Sequence, residues 1–536
     1  MTSVSSPIDS ANNDNDIAKT STRSGTLVQI ASYNTNLQGD RGIPQDLVDW
    51  LAPTLTVSKF LAGSSSARST NTGPPDIVAV GFQELLPLHL GFSGFSKSVI
   101  QSRDTLIRAQ IEKYHQTPKS GDPNGTSDEQ EQYTLVAHEV YVGVALLVYI
   151  RDSIGHRVED INTSWTGCGP LWMGNKGAVG IRFTLKAPEG SKLPDEIFTF
   201  VNAHLTAHAS QCHKRLKDWN HIVRTLLFPP LSSVDTPSDQ PTTIYHTSHL
   251  FFAGDLNFRL DIPKDHALRS PEFENTRSRS LSPTSSSSPA PSGLSQSLST
   301  RILTLINTAD GREYLKDLDE LRIERYKGTV CQSLREPPFW NFKCTYKYKI
   351  GTVDLYKFSI YLIFILLNIH LLCSMKRIPA WTDRVLYTTH TDSPQNGAEV
   401  SNIIPLVYTS VPSYTTSDHK PIVALLLVPT PHQPSPRTPL LPQSSSISKL
   451  TPDPYATIKR YTGRYVGRFI GLIWYLFVLV GLGNAAIGVG NVVIGLSVWG
   501  WGRRGFMFSL FGWWRSSIVG AAENGGVVLD EGRVNV

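Results

Sequence analysis

Residues 469–502 contain no charged side chain. This run is well above the roughly 20 apolar residues that one membrane-spanning helix needs. A soluble domain buries so long an apolar stretch only if the helix is covered all round. Lys459, Arg460, Arg464 and Arg468 precede the run, and Arg503, Arg504 and Arg515 follow it. Basic flanks at both ends fit a hairpin returning to the cytosol under the positive-inside tendency, with a single span as the alternative. Glycines inside the run are tolerated in membrane helices and favour close packing. Residues 459–515 are therefore expected to form a membrane anchor, one span or hairpin, followed by a tail at 516–536.

The rest of the chain is unlike this segment. Residues 1–25 are polar and expected to be disordered, as is a Ser-rich insertion near 268–300, because neither can bury enough apolar surface to offset ordering entropy. A Pro/Ser linker is expected over 431–458, a tether on which a catalytic domain could search a membrane surface. Between these lie short β-rich runs interspersed with helical ones. Strands are predicted at 27–33, 76–81, 133–136, 142–150, 177–183, 197–202, 249–253, 385–387 and 422–428, and helices at 47–61, 96–114 and 205–227. Without a regular βαβ alternation, the pattern implies one layered α/β domain of mixed sheets over 26–430. Five scattered cysteines, Cys168, Cys212, Cys331, Cys344 and Cys373, show neither metal-ligand spacing nor a disulfide framework, which suits a reducing compartment. No basic cluster followed by an apolar core opens the sequence, so no secretory signal is expected. The formal net charge of +5 suits a phosphate-bearing substrate or surface without requiring one.

Several predicted strands end in acids or amides. In Asn34-Thr-Asn36 and Asp255-Leu-Asn257 the two polar residues share one face of an extended chain. Phe82-Gln-Glu84 closes a buried-strand run, and Ser417-Asp418-His419 opens another. Oxygen ligands of this kind suit a hard cation such as Mg²⁺, and a His beside an Asp suits stabilisation of a phosphoryl transition state. Taken singly, each is an ordinary turn or surface feature. Their recurrence at strand ends is what points to a site.

In this order the segments resemble the inositol polyphosphate 5-phosphatases of the endonuclease/exonuclease/phosphatase fold. The resemblance is carried by Trp172-Met-Gly-Asn175-Lys176-Gly, Asn202-Ala-His204, Gly254-Asp255-Leu-Asn257-Phe-Arg259, Thr345-Tyr346-Lys347-Tyr348, Arg377-Ile-Pro379-Ala-Trp381-Thr-Asp383-Arg384 and Ser417-Asp418-His419-Lys420-Pro421. It spans roughly residues 28–428. It implies a four-layer sandwich of two mixed β-sheets flanked by helices, DNase I-like, with the site at one edge and transmembrane segments following. Carried over by position, Glu84 and Asn36 hold Mg²⁺ and Asp418 sits in the outer shell of the metal. Asp255 orients and deprotonates the attacking water, Asn257 fixes Asp255, and His419 meets the charge on the 5-phosphate while Asp383 takes its other ring proton. Asn34, His204, Asn175 and Lys176 line the phosphate and inositol ring, and Tyr346, Lys347 and Arg377 read a neighbouring 4-phosphate.

The implied activity is Mg²⁺-dependent hydrolysis of the 5-phosphate of phosphatidylinositol 4,5-bisphosphate at a cytosolic membrane face, with a lipid substrate and no nucleic-acid partner. Some members of the family are anchored to the endoplasmic reticulum by their C-terminus, and the same location is expected here. The alternatives are a membrane-bound pseudo-enzyme that binds phosphoinositides without turnover, or a nuclease or sphingomyelinase of the same fold. One segment departs from the family: residues 358–375 are a hydrophobic run between Lys357 and Lys376, where the family has a shorter polar loop. A membrane span there would put Lys347 and Arg377 on opposite sides of a bilayer. A membrane-dipping loop, a buried extra helix, or a retained intron translated in frame remain, and the intron best explains an apolar run that interrupts a motif block.

Overall fold

The computed structural model describes residues 25–37, 51, 74–115, 132–230, 240–270, 298–357, 359–365, 368–374, 378–392, 400–430, 440 and 450–499. The helix predicted at 47–61 lies outside them except for Leu51, as do residues 1–24, most of the 268–300 insertion and the tail. The described strands are β1 (Gly25–Asn34), β2 (Ile77–Gln83), β3 (Tyr133–Tyr141), β4 (Val144–Arg151), β5 (Val158–Gly167), β6 (Gly177–Leu185), β7 (Glu196–His204), β8 (His249–Asp255), β9 (Ser359–Ile365), β10 (Asn368–Ser374), β11 (Asp383–Thr389), β12 (Ile404–Ser410) and β13 (Ile422–Pro429). One sheet runs β12-β13-β1-β2-β4-β3 and the other β11-β8-β7-β6-β5. Each is mixed: β1 with β2 and β7 with β8 are parallel, and the remaining pairs are antiparallel.

Side-chain alternation decides the layering. Val28, Ile30, Ala79, Val148, Ala424 and Leu426 of the first sheet share a buried core with Val179, Phe183, Phe198, Phe200 and Phe251 of the second. Phe200 and Phe251 stack with ring centroids 4.9 Å apart. The intervening residues face outward: Val78, Val80, Leu147 and Tyr149 pack under Val99, Ile107 and Ile111 of helix α1 (Ser96–His115). Val201, Leu250 and Phe252 pack under Trp219, Ile222 and Val223 of α2 (Cys212–Thr225). The result is helix, sheet, sheet, helix, as expected. Strands β5 and β12 were not among the predicted ones; exposed polar positions such as Glu159 and Asp160, and Pro405 in β12, blur their patterns.

Asn202 bolts the sheets together. From β7 it donates to the carbonyls of Phe82 (2.9 Å) and Ala145 (2.7 Å), while Gln83 donates to its Oδ1 at 2.6 Å. A second buried polar knot holds β11. The Arg384 guanidinium, fully buried, meets both carboxylate oxygens of Asp319 at 2.9 Å and those of Glu336 at 2.5 and 2.7 Å. Burial alone would lower its pKa, but the two carboxylates raise it instead, so it stays charged. Arg384→Ala, which strands two buried carboxylates, is expected to cost about 3–5 kcal/mol. Chemical denaturation of the purified variant measures this, and an unchanged midpoint would sink the assignment.

The apolar insert forms neither a helix nor part of either sheet. Its backbone folds as the hairpin β9–β10, with Ser359 opposite Ser374 and Ile365 opposite Asn368. The flanking chain stays tied to the domain, Lys357 donating to the Lys347 carbonyl (2.8 Å) and Ala380 to that of Tyr346 (2.9 Å). A variant with 359–374 replaced by a short Gly-containing turn is therefore expected to fold with an unchanged melting temperature. A drop of more than a few degrees would show that the hairpin supports the domain.

The chain divides into two compact units, Met1–Arg468 and Phe469–Val536. In the first, the segment expected to be a free linker is partly packed. Leu440 donates to the Tyr245 carbonyl (3.0 Å), Leu450 and Ala456 are buried, and Asp453 donates its N–H to the Arg224 carbonyl (2.9 Å). The first turns of helix α3 (Ala456–Val480) bring Tyr461, Arg460 and Arg464 onto the Trp165 ring. Gly463 backs on the Trp172 carbonyl so closely that a Cβ would sit 2.0 Å from that oxygen. The basic residues read as membrane flanks thus also pack on aromatic faces of the same unit. In the second unit, the rest of α3 turns at 481–484 into a helix over Ala485–Trp499, and Asn491 donates back to the Val480 carbonyl at 3.1 Å. Ala456–Val480 is long and apolar enough to cross a membrane.

Candidate active site

Strand register brings the predicted residues to one edge. Gly177, directly after Lys176, pairs with His204; His204 pairs with Asp255; Asp255 pairs with Asp383. In the other sheet Asn34 and Gln83 end β1 and β2 side by side, and His419 lies just before β13. Gly254 makes the row possible. Its φ is +137°, and a Cβ would sit 2.0 Å from the Ala203 carbonyl, so only glycine lets β8 approach β7 this closely.

Asp255 is at the centre and is 1 % exposed. Its Oδ2 accepts from Asn34 Nδ2 (2.9 Å) and Asn257 Nδ2 (3.1 Å), and lies 3.3 Å from His204 Nε2 and 3.8 Å from His419 Nε2. Its Oδ1 accepts the Asn257 backbone N–H at 3.1 Å. Burial pushes its pKa up, but His419, His204 and Lys176 outweigh that and hold it below the ordinary carboxylate range. Asn34 and Asn257 both donate to Asp255, and Asn257 adopts a φ of +57°.

His419 lies 3.0 Å through Nδ1 from Asp383 Oδ2, which also accepts from Thr345 (2.7 Å) and Thr382 (2.9 Å). Burial lowers its pKa, yet Asp383 and Asp255 together push it up to about 10, so the ring is an imidazolium at neutral pH. His204 behaves oppositely: burial and Lys176 lower its pKa, leaving it neutral. Lys176 Nζ bonds its Nε2, and an uncharged Nε2 can accept from Lys176 or donate to Asp255, one at a time.

Glu84 and Asn36 are brought together by backbone: Thr35 Oγ1 donates to the Glu84 carbonyl (2.9 Å) and Leu37 N–H to the same oxygen (2.6 Å). Both residues adopt positive φ, +49° and +56°. The Glu84 carboxylate, 30 % exposed, lies 3.8 Å from both Lys176 and His204. Glu84, Asn36 and Asp255 offer a carboxylate, an amide and a second carboxylate at this edge, donors of the kind that Mg²⁺ or Ca²⁺ takes. Asp418 and Lys347, expected in separate roles, are ion-paired with each other. Tyr346 stacks against His419 at 4.5 Å. Asn175 lies against Gly169, its Oδ1 buried and without a hydrogen-bond partner among the described residues. Arg377 lies outside the described residues.

Sequence reasoning overlooked Arg259, Thr345 and Thr382 as working residues. Arg259 bonds Asn257 through its guanidinium and lies over the Tyr346 ring at 4.3 Å. Its spacing of two from Asn257 was the available signal.

A family model described as Endonuclease/Exonuclease/phosphatase family 2 matches residues 31–281 and 295–425. The chain belongs to that family. Among curated proteins it is similar to synaptojanin-2 of Rattus norvegicus, 24 % identical over 75 % of this chain and 22 % of the relative. It is also similar to the polyphosphatidylinositol phosphatase INP53 of Saccharomyces cerevisiae, 25 % identical over 65 % of this chain and 23 % of that protein. A third is the type II inositol polyphosphate 5-phosphatase 14 of Arabidopsis thaliana, 28 % identical over 55 % and 23 %. The chain spans less than a quarter of the length of these relatives. A solved structure of the inositol polyphosphate 5-phosphatase domain of SPsynaptojanin, in complex with inositol (1,4)-bisphosphate and calcium ion, covers 75 % of this chain and 84 % of that one, with 22 % identity and a TM-score of 0.47.

Proposed function

We propose that the chain is a phosphoinositide 5-phosphatase, acting on phosphatidylinositol 4,5-bisphosphate from a membrane through its C-terminal helices. The observation that carries the reading is the four-sided hold on Asp255, with a charged His419 alongside. Phosphoryl transfer through a loose transition state asks mainly for positioning and charge stabilisation. Asp255, held ionised by its neighbours, is assigned to orient and deprotonate the water for in-line attack. The His419 imidazolium, its tautomer set by Asp383, lies against the developing charge on the phosphoryl oxygens. Lys176 adds positive charge on the other side, and Arg259 stiffens Asn257. A divalent cation held by Glu84 and Asn36, with Asp418 further out, would supply charge neutralisation on the phosphate when bound, and Mg²⁺ is the proposed ion.

Specificity for a 4-phosphate is assigned to Tyr346, Lys347 and Arg377, with Asn175 and His204 toward the inositol ring. Lys347 would exchange its Asp418 partner for that phosphate. The helices over 456–499 are proposed to seat the protein on a cytosolic membrane face, the endoplasmic reticulum by family resemblance. The experiment is phosphate release from vesicles containing phosphatidylinositol 4,5-bisphosphate by the full chain, with and without Mg²⁺. Binding without release would favour a pseudo-enzyme, and DNA cleavage without lipid turnover a nuclease.

A further inference from the structure

The strands that carry His204, Asp255 and Asp383 have a second titratable cluster at their opposite ends. Glu196 opens β7, His249 opens β8, and His390 follows β11. Strand rise puts it about 20 Å from the catalytic edge. Glu196, His249 and His390 each offer one ligand atom, all within 4.8 Å of one another. Glu196 Oε1 lies 2.6 Å from His249 Nε2, and the two imidazole centroids are 5.6 Å apart. The backbone fixes the grouping: His249 pairs with Thr389, and His390 donates its N–H to the Ser248 carbonyl at 2.9 Å.

Among the described residues, the buried ring nitrogens His249 Nδ1 and His390 Nε2 have no hydrogen-bond partner. His249 is 1 % exposed, and a buried polar atom left unpaired costs about 1–3 kcal/mol. Two imidazoles and one carboxylate, with His390 half-buried, form a three-ligand set. That is the donor chemistry of a zinc-type divalent ion, whereas the oxygen set at Glu84 and Asn36 suits a hard cation. We infer that Glu196, His249 and His390 form a second metal site, for Zn²⁺ or a similar transition-metal ion, which clasps the far ends of β7, β8 and β11.

The test uses the full chain in detergent, stripped with chelator and re-equilibrated with Zn²⁺ in a large excess of Mg²⁺. One tightly bound zinc per chain is expected by elemental analysis. His390→Ala and Glu196→Gln should each weaken it at least 100-fold while changing phosphate release less than twofold, and Asp255→Asn should keep it. Co²⁺ in place of Zn²⁺ should give visible d–d absorption without a thiolate charge-transfer band. This readout on the unaltered chain decides the matter if a variant does not fold. Absence of saturable zinc, zinc that survives both substitutions, loss of zinc in Asp255→Asn, or a thiolate band would each overturn the inference.

Discussion

Asp255→Asn is expected to lower phosphate release by about 10³-fold or more, with the melting temperature little changed. The carboxylate is the meeting point of Asn34, Asn257, His204 and His419, so its replacement disturbs all four contacts at once. Asparagine is nearly isosteric, but its amide cannot accept from Asn34 and Asn257 while also turning an acceptor to water. It also removes one of the three negative charges that raise the pKa of His419. The His419 ring should then titrate at lower pH, which histidine NMR of the variant can read separately from turnover. With less imidazolium at neutral pH, part of the loss should recover on acidification. Retained turnover at neutral pH would refute the role given to Asp255.

Truncation should give the second large effect, and its outcome depends on where the chain is cut. A cut after Arg468 removes the charge-free run and is expected to leave a soluble domain that hydrolyses a short-chain substrate at close to the full-length rate. A cut after Pro429, the end of β13 and the limit first suggested by composition, should destabilise the same domain. It strips buried Leu450 and Ala456, the Asp453 contact to Arg224, and the Arg460, Tyr461 and Arg464 cover on Trp165. Burial of a leucine contributes about 1.5–3 kcal/mol and each cation–π contact about 0.5–1 kcal/mol. The shorter fragment should lose on the order of 3 kcal/mol or more, visible as a lower denaturation midpoint. Equal midpoints for the two fragments would mean that the strap carries no stability.

Much of the site was legible in the sequence because its residues occupy strand ends, where period-two spacing sets the face and short motifs keep their order. Asp255 and Asn257 needed only the extended backbone between them. The apolar insert and the linker were less legible, since composition reports burial without reporting the partner. Residues 359–365 and 368–374, whose apolar composition suggested a retained intron, a membrane-dipping loop or a buried helix, pair as a hairpin, and the basic residues before 469 read as lipid-facing flanks although Arg464 lies on Trp165. Arg384 looked like one more motif residue. Its two carboxylate partners, Asp319 and Glu336, come from segments about 65 and 50 positions away, a pairing that local sequence cannot encode.

The uncharged run at 469–502 by itself determined that this chain has a part unlike an ordinary soluble domain, because apolarity over such a length depends on no partner. The alternation of strand-like and helical runs likewise implied a layered α/β domain of mixed sheets, and the family resemblance that two sheets pack together. Only the tertiary structure decided which charges meet. It made His419 an imidazolium and His204 a neutral ring at the same edge, since each pKa depends on the carboxylates and ammonium that folding brings within a few ångströms. It also decided that the basic entry to the apolar helix rests on the catalytic unit, because Trp165 and Trp172 reach it from nearly 300 residues upstream.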